Sequence, residues 1–119
     1  KPNNVMLGRG ATVKIIDFGL ARVQGDPPKD RVQGTPEYMA PETAEHKLVN
    51  ERTDIFNFGA TMYRLATFKL PPQIVTAGGV PLDKRSYKAA FVPVNQLNPV
   101  APEGLCDLIH RCLSYNALK

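Results

Sequence analysis

The sequence predicts an α+β fold that is predominantly helical, with a short β-hairpin at its N-terminal end and a buried central helix. Two short β-branched or apolar runs, 5–7 and 12–16, flank the glycine-rich turn Gly8-Arg9-Gly10, which is typical of a hairpin. One later segment is apolar on nearly every helical face and another is amphipathic with helical spacing. The chain has 119 residues, 43% hydrophobic and 22% charged, which fits one domain or part of one.

A long loop is predicted after the hairpin. Residues 20–33 are polar and rich in turn formers, with Gly25-Asp26-Pro27-Pro28 at their middle. A segment of this length without regular periodicity is more often a functional loop than a structural accident. We therefore expect an exposed, mobile loop.

The central helix is predicted from a cap and a run of apolar positions. Thr53 or Asp54 can cap a helix that runs to about Thr67. Its apolar positions nearly encircle it, which is typical of a buried helix. They are Ile55, Phe56, Phe58, Met62, Tyr63, Leu65 and Ala66. Among these, we expect Phe56, Phe58 and Tyr63 to be core residues.

Proline and glycine punctuate the second half of the chain. Residues 69–102 are therefore predicted to be mainly loop, with one short helix near 84–91. Pro102 stands at a first helical position and starts an amphipathic helix that ends near Tyr115. The apolar stripe of that helix consists of Leu105, Leu108, Ile109, Cys112 and Leu113.

Charge and cysteine content argue against several classes of function. The net charge of +4 comes from scattered lysines and arginines, so a solvated surface is favoured over a nucleic-acid interface. Cys106 and Cys112 are the two cysteines, six residues apart on different faces of one helix, and we expect them to be reduced in a cytoplasmic protein. No run approaches the ~18 apolar residues of a membrane span, although the parent protein can carry an anchor elsewhere.

Three motifs in the first 42 residues carry the chemistry. Lys1-Pro2-Asn3-Asn4 is followed after 12 residues by Asp17-Phe18-Gly19, and the run from Gly34 to Glu42 reads Gly-Thr-Pro-Glu-Tyr-Met-Ala-Pro-Glu. Phosphoryl transfer needs a metal that bridges phosphate oxygens and ligands that hold it. Asn4 and Asp17 offer the hard oxygen ligands that Mg²⁺ prefers. Each motif is weak alone, and their joint order and spacing are not a chance pattern.

On these motifs the chain resembles the C-terminal lobe of a eukaryotic-type serine/threonine protein kinase. The resemblance covers essentially the whole chain and is most specific over residues 1–67. It implies ATP and Mg²⁺ as cofactors and a protein with a serine or threonine acceptor as substrate. It also divides the chain into the end of the catalytic loop with the hairpin (1–16), the metal, activation and substrate-positioning loops (17–42) and a helical subdomain (43–119).

The resemblance assigns roles residue by residue. Lys1 is similar to the catalytic-loop lysine that neutralises the γ-phosphate, and Asn4 and Asp17 to the residues that hold Mg²⁺. Thr35 matches the threonine that hydrogen-bonds the catalytic aspartate and lysine in serine/threonine kinases. Met6 falls where the family forms the floor under adenine, and a plain core role fits it equally well.

Further residues would position the substrate or support the site. The substrate-positioning residues are Gly34, Thr35, Pro36 and Glu37. Structural support is expected from Phe18, Gly19, Glu42 and Asp54. By the resemblance, Glu42 pairs with a buried arginine, and Asp54 anchors the backbone of the catalytic loop.

Departures from the family pattern suggest a fragment. The sequence has no His-Arg-Asp triplet before Lys1 and no glycine-rich phosphate loop, so the general base and the N-terminal lobe are missing. The arginine partner of Glu42 would follow Lys119, and a buried unpaired carboxylate is costly. We expect the chain to start inside the catalytic loop, to end before the final helix, and to be weakly stable and inactive alone.

Two arginines bear on regulation and specificity. Arg31 occupies the place, four residues before Thr35, where an activating phosphothreonine commonly sits in the family, so activation at that site is not expected. A solvated Arg31 in a kinase activated by dimerisation or by a partner fits equally well. Arg64 stands where kinases that select basic substrates often have glutamate, so we expect no need for arginine just upstream of the target.

Other functions remain as alternatives. A pseudokinase scaffold is disfavoured by the retained metal ligands, and a tyrosine or small-molecule kinase by Lys1-Pro2 and by Thr35-Pro36-Glu37. His46, in a predicted polar loop, and His110, on a predicted helix, have no second ligand at metal spacing.

Overall fold

A two-stranded antiparallel hairpin begins the described part of the chain. The structure is a computed structural model that describes residues 2, 5–15, 36–75 and 80–116. Strand β1, Val5–Leu7, pairs with β2, Val13–Ile15, with Met6 opposite Lys14. Gly10 in the connecting turn has φ 67°, a left-handed conformation that glycine adopts without steric cost. The predicted hairpin is therefore confirmed.

Five helices follow a short 3-10 helix at Pro36–Tyr38 in the described ranges. They are α1 (Pro41–His46), α2 (Glu51–Thr67), α3 (Lys84–Ala90), α4 (Val94–Leu97) and α5 (Glu103–Cys112). The predicted central helix, the short helix near 84–91 and the amphipathic helix are confirmed as α2, α3 and α5. Sequence reasoning missed α4, and it placed His46 in a loop although that residue ends α1.

The N-terminal end of α2 differs from the prediction. The side-chain oxygen of Asn50 accepts hydrogen bonds from the backbone N–H groups of Arg52 (2.9 Å) and Thr53 (3.2 Å). In return, the Thr53 hydroxyl accepts from the Asn50 N–H at 3.1 Å. This reciprocal pair satisfies N–H groups that the first helical turn leaves free. The predicted caps Thr53 and Asp54 are therefore wrong, because Asn50 caps the helix three residues earlier.

The core lies between α2 and the elements that follow it. Its fully or nearly fully buried apolar residues are Ala40, Phe56, Ala60, Tyr63, Ile74, Tyr87, Val94, Cys106, Ile109 and Leu113. The core positions predicted for Phe56 and Tyr63 are confirmed. Phe58 is 51% exposed, so its predicted core position is wrong. The described elements that pack on α2 cover one side of this helix, and Ile55, Phe58 and Leu65 lie on the side left open.

Helix α5 is slightly shorter than predicted and buries a narrower stripe. Pro102 is the N-cap residue directly before the helix, and the helix ends at Cys112. Ile109 and Leu113 are buried, whereas Leu108 is 48% exposed. Successive helical residues are turned by ~100°, so Leu108 points away from the face on which Ile109 lies. Cys106 and Cys112 are both free thiols.

Side-chain hydrogen bonds to the backbone join segments that are distant in sequence. The Tyr63 hydroxyl donates to the Val92 carbonyl at 2.7 Å, and the Tyr87 hydroxyl donates to the Leu113 carbonyl at 2.8 Å. Burial raises the pKa of both tyrosines, and the pKa of Tyr87 is raised further by the neighbouring Tyr63. Both hydroxyl groups therefore remain protonated donors at neutral pH.

None of the helices in the described ranges is both long enough and apolar enough to cross a membrane.

The close approach of α2 and α5 at Gly59 is testable by substitution. A Cβ at this position would stand 2.6 Å from the Cβ of Cys112 and 3.2 Å from the Cγ of Leu113. We expect Gly59→Ala to lower the free energy of unfolding by about 1–3 kcal/mol through overpacking, as measured by urea denaturation.

Gly104 provides the matched control within α5. A Cβ there would meet nothing within 4 Å, so Gly104→Ala should raise the free energy of unfolding by about 0.5–1 kcal/mol through its higher helix propensity. Equal effects of the two substitutions would contradict the assigned contact.

Candidate functional site

The described ranges include five of the residues that the sequence assigns to the site. They are Met6, Pro36, Glu37, Glu42 and Asp54. The others, together with Arg31 and the loop 20–33, lie outside the described residues. The site residues in that group are Lys1, Asn4, Asp17, Phe18, Gly19, Gly34 and Thr35. Of the four predicted supports, the structure therefore describes Glu42 and Asp54.

The hairpin leads into the metal-loop sequence. Strand β2 ends at Ile15, two residues before Asp17. Met6 lies in the middle of β1, and its residue surface is 54% exposed. Met6 is therefore not a core residue within the described part of the chain, and its apolar side chain is accessible.

The substrate-positioning sequence continues into a well-packed segment. The 3-10 helix Pro36–Tyr38 packs against α2, and Ala40 and Pro41 directly after it are fully buried. Glu37 is partly buried, and its Oε2 has no hydrogen-bond partner among the described residues. The segment is thus anchored at its C-terminal side.

Glu42 is held by α2 in this structure. The Thr53 hydroxyl donates to Glu42 Oε1 at 3.0 Å, while the same hydroxyl accepts from the Asn50 N–H. One of its oxygens is therefore satisfied by a neutral donor within this chain, and the pairing of Glu42 with an arginine stays a prediction. Thr53 consequently couples the N-terminal cap of α2 to the end of the third motif.

A second residue, Tyr115, holds α1 through its side chain. The Tyr115 hydroxyl donates to the Glu45 carboxylate, and its oxygen also lies 2.7 Å from the Leu82 carbonyl oxygen. Burial, and then the hydrogen bond with Glu45, raise the pKa of Tyr115. The protonated hydroxyl therefore joins α1, the segment before α3 and the turn after α5.

Asp54 lies in the first turn of α2 and is exposed. Phe58, one turn further along the same side of the helix, is also exposed. The expected partner of Asp54, the backbone of the catalytic loop at residues 1–4, is outside the described ranges except for Pro2. Its supporting role stays a prediction.

The histidines have local structural surroundings. His46 is largely exposed, 3.7 Å from a carboxylate oxygen of Glu45. His110 accepts a hydrogen bond from the Val94 N–H at 3.0 Å. Within the part of the chain that the structure describes, no group of three or more histidine, cysteine or acidic residues is placed to hold a metal ion.

Sequence reasoning missed the contacts of Thr53 with Glu42 and of Tyr115 with Glu45. Thr53 carried a usable signal, since Asn50 and Thr53 have the spacing of a reciprocal helix cap. Tyr115 carried none, because its partners Glu45 and Leu82 are 70 and 33 residues away in sequence.

Comparison with known proteins decides the family. The family model described as "Protein kinase domain" matches residues 1–119, the whole chain. The chain belongs to the protein kinase family. The predicted resemblance and the predominantly helical kinase-like fold with its N-terminal hairpin are confirmed.

Relatives of this protein kinase chain are named as serine/threonine kinases. It is 34% identical to a probable serine/threonine-protein kinase of Clostridium acetobutylicum over 95% of its length, which is 17% of the relative. It is 35% identical to serine/threonine-protein kinase pkn2 of Myxococcus xanthus over 100% of the chain and 15% of the relative. For human serine/threonine-protein kinase Nek10 the identity is 32%, over 98% of the chain and 10% of the relative. The kinase chain thus spans less than a fifth of each of these relatives.

The double role of Thr53 predicts a specific loss of stability. Thr53→Val removes the donor to Glu42 and the acceptor for the Asn50 N–H, and it leaves a part-buried carboxylate oxygen without its partner. We expect the free energy of unfolding to fall by about 1–3 kcal/mol, as measured by urea denaturation.

Thr12→Val is the matched control. The Thr12 hydroxyl makes an exposed hydrogen bond to the Arg9 carbonyl, so its loss should change stability by no more than about 0.5 kcal/mol. A Thr53→Val effect as small as that of Thr12→Val would remove Thr53 from the supports of the site.

Proposed function

We propose that the parent protein is a serine/threonine protein kinase that transfers the γ-phosphoryl group of ATP to hydroxyl groups of protein substrates. The observation that carries this proposal is the ordered spacing of three motifs, at 1–4, 17–19 and 34–42, within a chain that the protein kinase family matches throughout. The 119 residues contribute the metal-binding and substrate-positioning parts of the site.

Metal and nucleotide binding are assigned to the first two motifs. The amide oxygen of Asn4 and the carboxylate of Asp17 are hard donors that suit Mg²⁺, which neutralises phosphate charge when it is bound. Lys1 supplies a further positive charge for the γ-phosphate. Met6, whose side chain is accessible on β1, is available to pack under adenine. These roles depend on residue type and spacing.

Substrate positioning is assigned to Gly34, Thr35, Pro36 and Glu37. This assignment is supported by the packing on α2 of the 3-10 helix that contains Pro36 and Glu37, and by the burial of Ala40 and Pro41 shortly after it. A loop that ends on a rigid base loses less conformational entropy when it binds a peptide. Arg64, exposed on α2, leads us to propose that arginine upstream of the target is not required.

The proton of the acceptor hydroxyl must leave as the phosphoryl group arrives. No residue of this chain is assigned that task, because the sequence has no His-Arg-Asp triplet. We assign the general base to an aspartate supplied by other sequence of the parent protein.

Phe18, Gly19, Glu42 and Asp54 support the site without touching the reactants. We propose that this part of the parent kinase lies in the cytoplasm, since Cys106 and Cys112 are free thiols, whether or not other sequence anchors the protein to a membrane.

Replacing Asp17 tests the metal-ligand role. In the full-length parent kinase, Asp17→Asn removes the negative charge that holds Mg²⁺ and should lower phosphoryl transfer by at least about 100-fold. Transfer from γ-labelled ATP to serine- and threonine-containing protein measures this effect, and the thermal unfolding midpoint reports on folding.

Asp107→Asn is the matched control, because Asp107 is exposed on α5. It should leave transfer unchanged. Turnover retained by Asp17→Asn would refute the metal-ligand assignment. A parent protein that binds ATP with Mg²⁺ but transfers nothing, even without substitutions, would be a pseudokinase scaffold.

A further inference from the structure

Helix α4 is capped by a histidine from another helix. The Pro93 position before α4 provides no side-chain cap. The first N–H of the helix, that of Val94, instead donates to Nε2 of His110 on α5 at 3.0 Å. Val94 is 0% exposed, so this N–H has no easy access to water as an alternative acceptor. A buried N–H that loses its partner is costly.

The other side-chain hydrogen bonds that hold residues 92–98 do not depend on pH near neutrality. The Tyr63 hydroxyl donates to the Val92 carbonyl at 2.7 Å, and the Asn98 amide donates to the Ala66 carbonyl at 2.9 Å. Burial raises the pKa of Tyr63, so its hydroxyl stays protonated. Of these three side-chain bonds, only the one to His110 has a ring nitrogen as its acceptor, which can take up a proton in place of the hydrogen bond.

The His110 ring is accessible to protons. It stands edge-on to Phe91, with 5.6 Å between ring centroids, and it lines an open cleft of about 190 Å³. The cleft is lined by Tyr87, Lys88, Phe91, His110, Leu113, Ser114 and Tyr115. The ring is partly buried, so it is held in place yet remains in contact with solvent.

Charged groups around the ring are few and exposed. Lys88 of α3 lines the same cleft. On α5 itself, Asp107 lies one turn before His110 and Arg111 directly after it, both exposed. The tyrosines that line the cleft, Tyr87 and Tyr115, have raised pKa values and stay neutral, as does Tyr63, which packs on the other side of Phe91 at 5.8 Å between ring centroids. Helix α4 carries no ionisable side chain.

We propose that His110 is a pH-sensitive latch for α4. At neutral pH the lone pair on Nε2 accepts the Val94 N–H. A proton taken up from water would occupy that same lone pair, so the hydrogen bond breaks and two N–H groups face each other. The stabilisation by this bond is therefore present while Nε2 is unprotonated, and it is lost once Nε2 takes up a proton as the pH falls. Acidification would loosen residues 92–98 from α2 and α5.

Hydrogen exchange of the full-length parent kinase tests the latch. Mass spectrometry of a peptide that covers residues 92–98, corrected for the pH dependence of intrinsic exchange, should show protection about five- to tenfold lower at pH 5.5 than at pH 7.5. In His110→Gln, which keeps an acceptor but does not titrate, protection should be the same at both pH values. In His110→Phe, which keeps a ring beside Phe91 but has no acceptor, protection should be low at both.

His46→Gln is the matched control, since His46 is largely exposed and lies on α1. It should keep the pH response of residues 92–98. A response that persists in His110→Gln, or that disappears in His46→Gln, would overturn the proposal.

A second measurement needs no substitution. In ¹⁵N spectra, Nε2 of His110 should have the chemical shift of an unprotonated ring nitrogen at pH 7.5, and the Val94 amide signal should move with the same midpoint as the ring. A protonated Nε2 at pH 7.5 would also overturn the latch.

Discussion

The contact between α2 and α5 at Gly59 is the constraint on which the other described helices depend. The absence of a side chain at Gly59 lets the backbone of Cys112 and the side chain of Leu113 come close to α2. Leu113 is then placed so that its carbonyl accepts from Tyr87 of α3, and Ile109 is buried in the same layer. Helix α4 is held between α2 and α5. The hydrogen bonds of Tyr63 and Asn98 join its segment to α2, and the hydrogen bond with His110 joins it to α5. A wider separation of α2 and α5 would weaken each of these contacts.

The candidate site depends on the same helix. Thr53 in the first turn of α2 holds Glu42, and the 3-10 helix before Ala40 rests on α2. The motif that is assigned to substrate positioning therefore ends on the element that organises the core. This arrangement explains why a residue with no chemical role, such as Thr53, matters for the geometry of the site.

Local patterns in the sequence predicted which segments are helices or strands better than they predicted the end residues and the exposed sides of those elements. The periodicity of α5 and the β-branched runs of the hairpin are local, and both predictions hold. The start of α2 was misplaced because the reciprocal bonds of Asn50 and Thr53 were not weighed against the caps offered by Thr53 and Asp54 alone. Phe58 and Leu108 were misjudged because apolar character does not tell which sides of a helix find partners. Helix α4 is too short to show a periodic pattern of apolar residues. It is fixed by the hydrogen bonds of Tyr63, His110 and Asn98. For the site, motif spacing predicted the protein kinase family, whereas the contacts of Glu42 and Tyr115 are tertiary and left no local signal.

Tyr115 also bears on the order in which the chain assembles. Its hydroxyl meets Glu45 and the Leu82 carbonyl across separations of 70 and 33 residues, and closing loops of that size costs entropy before the contact contributes anything. The hairpin and the capped first turn of α2 need only neighbours within a few residues, so they are able to form early. The contacts by which Tyr115 holds α1 therefore close larger loops than the hairpin or the cap of α2 does. During synthesis, α1 and α2 leave the ribosome well before Tyr115 does.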